Sequence, residues 1–138
     1  MHIPAAIDAA PPQIEDPDDL ISWVEPDSGL IRVLGRGFWT QAHVELHVTA
    51  LRGLIARQRA AGGRVLVLVD LRETLAQDPA IIERLGQAVD GVYREGDRVA
   101  VAVASSLLKL QLKLVANVAS VEFFVSLRAA RTWLTAYL

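Results

Sequence analysis

Apolar residues recur along this chain with two periods, and the period switches from segment to segment. In RVLVLVDL, residues 64–71, apolar side chains fill both alternating faces, the pattern of a strand covered on two sides. RVAVAVA (98–104) and VEFFV (121–125) also read as strands of the sheet interior. Between 40 and 61 the spacing changes. Val44, Val48, Leu51 and Ile55 return every three or four residues, which is one helical face, with Thr40 as N-cap and Gly62-Gly63 as stop. Ile82, Leu85, Val89, Val92 and Tyr93 form a second stripe. Asp78 caps this helix, Pro79 opens it, and the stripe predicts that it runs to about Arg94. Upstream, two β-rich runs flank the turn residues Pro26, Asp27, Ser28 and Gly29, a hairpin. Downstream, Ser126 caps a closing helix over LRAARTWLTAYL.

Residues 107–117 carry two signals. LKLQLKL alternates strictly, as a strand does. The segment nevertheless reads as a helix: leucine and lysine propagate helices well, Ser105 and Ser106 stand in front as caps, and two parallel flanking strands need a crossover. Wound as a helix, its leucines cover more than half the girth and leave Lys109 and Lys113 on a narrow polar strip. The resulting order, ββαβαβαβα, predicts a single-domain α/β fold whose mixed sheet starts with a hairpin and continues with parallel β-α repeats.

Composition narrows the setting. The 138 residues suit one domain, and 52% hydrophobic with 22% charged residues is globular. No cysteine is present, which excludes disulfides and thiolate chemistry. No apolar run is long enough to span a membrane, and MHIPAAIDAAPPQ lacks the basic and apolar regions of a signal peptide, so a cytoplasmic protein is expected. Residues 1–19 hold four of the six prolines and five of the 16 acids without a Lys or Arg, and read as a tail or loosely packed arm before a domain over 20–138. The 14 basic residues are spread along the chain, so nucleic acid is not an expected partner.

Several polar residues gather where parallel strands end, the place ligands favour. Asp70, Arg72, Glu73, Thr74 and Asp78 follow the first interior strand, and Ser105 and Ser106 follow the second. Thr40 and the GRGFWT segment before it share that end. These residues define a candidate crevice for an anion, against the plainer reading of caps and turn polars. His43 and His47 stand four apart on a helix, but no third ligand accompanies them. They read as polar residues flanking the core stripe, with no metal and no cofactor expected. No base, nucleophile and orienting group are recognisably grouped, so the chain is not expected to be an enzyme.

The element order, the strand VLVLVDL, Asp78 and the closing FFVSLRAARTWL resemble the STAS fold of anti-sigma-factor antagonists, and more narrowly the SpoIIAA-like proteins. The resemblance spans residues 20–138. In phospho-regulated members an Asp-Ser or Asp-Thr pair opens the helix after this strand, and a kinase phosphorylates the hydroxyl. Here Asp78 matches the aspartate, but Pro79 and Ala80 stand where the hydroxyl belongs. The resemblance therefore implies a non-enzymatic regulatory domain without that switch, unless Thr74, Ser105 or Ser106 replaces it. The leucine-rich helix sharpens this expectation. Leu107, Leu108, Leu110, Leu112 and Leu114 form an apolar surface for a homodimer or a protein partner. A second reading is a small carrier of an apolar or lipid-like molecule held between the 107–117 helix and the sheet. A third is a phosphate or nucleotide module at the strand ends.

Overall fold

A hairpin opens the sheet. Strand β1 (Asp19–Val24) turns through residues 25–30 into β2 (Ile31–Gly37), and Gly29 takes a φ of 74° that a side chain would resist. The computed structural model describes residues 16–115 and 120–136. After the hairpin come α1 (Gln41–Ala60), β3 (Leu66–Thr74), α2 (Pro79–Val89), β4 (Arg98–Val103), α3 (Ser106–Val115), β5 (Ser120–Phe124) and α4 (Leu127–Thr135). The predicted order is therefore observed, including the helix at α3. Of the expected N-terminal arm, residues 1–15 lie outside the described residues, and Asp19 already belongs to β1.

The five strands lie side by side in chain order. β1 pairs antiparallel with β2, and the other three pairings are parallel. Alternation then sorts the side chains into two cores. Ile31, Val33, Val67, Leu71, Val99, Val101 and Val103 face the layer of α1, α2 and α3. Leu66, Leu68 and Ala100 face α4, where Ala130 and Leu134 are fully buried. The alanines of β4 let α4 approach closely.

Three expectations need correction. α2 stops at Val89 instead of Arg94. Asp90 is its C-cap, Gly91 has a φ of 76°, and Arg52 of α1 donates to the Ala88 and Asp90 carbonyl oxygens at 3.1 and 3.3 Å, taking up groups that the helix end leaves free. Val92 and Tyr93 still reach the core, but from a loop. β3 runs on through Arg72, Glu73 and Thr74, so the polar segment after Asp70 is strand and not bend. In α3, Leu108 and Leu112 are buried in the core and are not part of an outer surface. Only Leu107, Leu110 and Leu114 face outward, at 59%, 61% and 84% exposure.

Candidate functional site

The eight residues of the expected crevice do not share one face of the sheet. Asp70 pairs in register with Leu34 and Ala102 and lies on the α4 face of the sheet, next in alternation to Leu66 and Leu68. Arg72 grips it with Nε and Nη2, both at 2.9 Å. Burial pushes the Asp70 carboxyl up, but the hydrogen bonds from Arg72 and the nearby Arg32 charge outweigh this and hold it below the ordinary range. A register shift between Leu34 and Arg36 then sets one residue of β2, Gly35, against two of β3, Leu71 and Arg72. That bulge turns Thr74 to the other face, where it is 3% exposed and its Oγ1 has no partner. A kinase could not reach it in the folded state.

Of the remaining members, Glu73 pairs with Arg36 at 3.3 Å, and Thr40, Asp78 and Ser105 are helix caps. Thr40 Oγ1 accepts from the His43 N–H at 3.2 Å while His43 Nδ1 accepts from the Thr40 N–H at 3.1 Å. Asp78 Oδ1 accepts from the Ala80 N–H at 2.8 Å, and Ser105 Oγ from the Leu108 N–H at 3.1 Å. Ser106 is the first residue of α3. Each cap side chain is thus occupied by its own helix, and among the described residues no cluster of three His, Asp or Glu is set to hold a metal.

Gln77 joins these loops, and neither period nor motif marked it. Its Oε1 accepts from the Trp39 N–H at 2.7 Å, and its Nε2 donates to the Gly37 and Leu75 carbonyl oxygens at 2.9 and 2.7 Å. The side chain is buried and satisfied at both ends.

An apolar space lies elsewhere, between the sheet and the three-helix layer. It is a cavity of about 120 Å³. Every strand contributes to its floor, through Leu20, Val33, Val69, Leu71, Val101, Val121 and Phe123. Neighbouring strands are spaced near 4.8 Å, so the floor runs roughly 19 Å across the sheet. Its roof is His47 from α1, Leu85 and Val89 from α2, and Leu112 and Val115 from α3. Gly86 permits this roof: a Cβ there would stand 2.9 Å from Val115 Cγ1, so α2 and α3 close over the cavity only because the side chain is missing.

Beside Tyr93, His47 brings a polar side chain to this wall. It is 7% exposed and its Nδ1 has no hydrogen-bond partner. Burial drives its pKa down to about 4, so the ring is neutral near pH 7. Position 47 falls three after Val44 and four before Leu51, within the core stripe and not at its flank. The spacing alone could have found it. On its outer side His47 borders a hollow along β1 that also takes in Ser22, whose buried Oγ is likewise unpartnered.

At the opposite end of the cavity, Val121 and Phe123 are shared with a surface hollow that Lys109 and Lys113 flank. Lys113 Nζ stands 5.9 Å from the centre of the Phe123 ring. Among the described residues no helix is long and apolar enough to cross a membrane.

No protein-family model matches the chain, and no curated protein matches it. In fold it is similar to an uncharacterized protein of the DUF3478 family from Shewanella loihica PV-4, described as having a SpoIIAA-like fold. The TM-score is 0.64 at 16% identity, over 89% of this chain and 99% of the other. An identity this low speaks to architecture alone. With the β-hairpin, the three parallel pairings and the capped helix after β3 all in place, the chain has a SpoIIAA-like α/β fold.

Proposed function

We propose that this protein is a non-enzymatic SpoIIAA-like domain that binds a small apolar molecule between α3 and the sheet. The observation that carries this reading is the cavity floored by all five strands and roofed by three helices. Well-packed domains keep few voids larger than a water molecule. An apolar cavity of about 150 Å³ takes up benzene, so one of 120 Å³ suits a ligand of roughly six heavy atoms or one segment of a longer chain. Native mass spectrometry of gently purified protein tests it. A bound adduct is expected on the wild type and not on Val101→Leu, which fills the floor. Absence of any adduct, together with no melting shift on adding pentane-sized apolar probes, counts against the reading.

A second reading rests on a different observation. Leu107, Leu110 and Leu114 stand more than half exposed along one side of α3, an apolar surface suited to a second copy or a regulatory protein partner. Light scattering is expected to report a dimer, with Leu110→Glu plus Leu114→Glu giving a folded monomer. A monomeric wild type at high concentration would remove the homodimer from consideration.

A further inference from the structure

The chain enters the fold beside Gly37. Asp18 Oδ1 accepts from the Phe38 N–H at 2.8 Å, and a Cβ on Gly37 would strike the Pro17 carbonyl oxygen, so the missing side chain admits the incoming segment. Pro17 and Asp18 share a surface hollow with Glu73 and Leu75 from the end of β3. α3 adjoins the same loops. Gln77 donates to the Gly37 carbonyl oxygen and exchanges two hydrogen bonds with Gln111, so one residue links the point of entry to the middle of α3. Exposed apolar side chains mark that route. Phe38 and Leu75 border the hollow, and Leu107, Leu110 and Leu114 stand on the outer side of α3. Elsewhere among the described residues only Leu46 and Val125 are large, apolar and exposed.

The residues that precede Asp16 suit this route in chemistry and in length. MHIPAAIDAAPPQIE offers Ile3, Ile7 and Ile14 to the apolar side chains. It carries Asp8 and Glu15 and no Lys or Arg, whereas α3 carries Lys109 and Lys113 and no acid. Such opposite charge favours one partner over others and fixes its register. Extended at roughly 3.3 Å per residue, the segment reaches about 50 Å, against about 10 Å along α3 from Leu107 to Leu114. Because it is tethered, its effective concentration at α3 is of millimolar order. We infer that residues 1–15 lie along the outer side of α3 and cover Leu107, Leu110 and Leu114, with Asp8 beside Lys109 and Lys113. This inference rests on the reading of α3 as a docking surface and adds its regulation, since the segment and a partner compete for one face.

The chain has no cysteine, so Ala5→Cys accepts a single nitroxide. In the full chain with ¹³C-methyl leucine, the oxidised label is expected to remove most of the Leu110 and Leu114 methyl signal, and its reduction to restore it. Leu134, buried on the opposite face of the sheet, should keep its signal throughout. Lys109→Glu plus Lys113→Glu should weaken the loss. A mixture of nitroxide-bearing chains without ¹³C and ¹³C chains without the cysteine is expected to show no loss. Loss in that mixture would place the segment on a second copy and overturn the inference, as would intact Leu110 and Leu114 signals beside the oxidised label. Light scattering decides the docking reading separately. A dimer through these leucines with intact signals overturns the inference and leaves that reading standing. Signal loss within one chain supports the inference even where only monomer is found, the outcome that removes the homodimer.

Discussion

Gln77 and Gln111 exchange two hydrogen bonds. The Gln77 N–H donates to Gln111 Oε1 at 2.9 Å, and Gln111 Nε2 donates to the Gln77 carbonyl oxygen at 2.7 Å. A side chain in the middle of α3 thus mimics one more rung of backbone pairing for the loop that leads into α2. Because Gln77 also holds Trp39, Gly37 and Leu75, this pair locks α3 to the loops at the ends of β2 and β3. It also sets the rotation of α3, which turns Leu108 and Leu112 inward and leaves Leu110 and Leu114 outside.

Gln111→Leu removes both bonds and leaves the Gln77 amide and carbonyl without partners. At roughly 1 kcal/mol for each, stability to urea should fall by about 2 kcal/mol. Hydrogen exchange at the Gln77 amide should accelerate by more than that at Ile82, which lies within α2. Unchanged protection at Gln77 would show that the pair does not hold the loop.

His47 makes stability depend on pH in a defined window. Its folded pKa is depressed from 6.5 to about 4 by burial. Above pH 6.5 neither state carries the proton. Between 6.5 and 4 the unfolded chain binds it and the folded chain does not, so acidification removes stability, up to an order of 3 kcal/mol. Below about 4 both states are protonated and this slope ends. His47→Leu should flatten the stability profile over that window, as measured by denaturation at stepped pH.

Glu25 acts lower on the pH scale. Arg131 donates to both carboxylate oxygens, at 2.9 and 2.6 Å, and Arg32 adds a third contact at 2.8 Å. The Arg131 bond is the largest influence, and against the cost of burial it holds the pKa at about 2 instead of 4.5. Stability from this group is present above pH 4.5 and is lost as pH falls towards 2. Arg131 is over a third exposed, so solvent screens the pair, and Arg131→Met should cost only about 1 kcal/mol at neutral pH. Carbon NMR titration of the Glu25 carboxyl should show its pKa rising towards the ordinary value in that variant.

Gly35 leaves no room for a methyl group. A Cβ would lie 2.7 Å from Leu71 Cδ2 and 3.0 Å from both Thr74 Oγ1 and Trp39 Cζ2. Gly35→Ala should therefore destabilise by about 1–3 kcal/mol through overpacking. Gly53→Ala on α1, where nothing stands within 4 Å, should instead stabilise by up to about 1 kcal/mol. Paired urea denaturation curves check the opposite signs.

Much of the architecture was legible in local pattern. The apolar runs at 64–71 and 98–104 announced covered strands, and Asp78-Pro79 announced a helix start that the structure reproduces to the residue. A Gly-containing end was harder to read: the stripe through Val92 and Tyr93 continued past Asp90, although the helix did not, because loop residues can face a core as well as helical ones. The candidate site was less legible. Thr40, Asp78 and Ser105 carry side chains of the ligand-binding kind, yet each is spent on its own helix. The cavity has no motif, since its walls are the same valines and leucines that make any core.

Sequence by itself determined the types of the elements and their order, because backbone periodicity and caps act within a few residues. It also determined that Pro79 and Ala80, without a hydroxyl, open the helix after Asp78. Only the tertiary structure decided which leucines of α3 face the core, which sheet face holds Asp70, and that His47 Nδ1 is buried without a partner. Those outcomes depend on contacts between residues tens of positions apart, such as Gln77 with Gln111 and Gly86 with Val115. They follow from how volumes fit in three dimensions, and no local pattern carries that information.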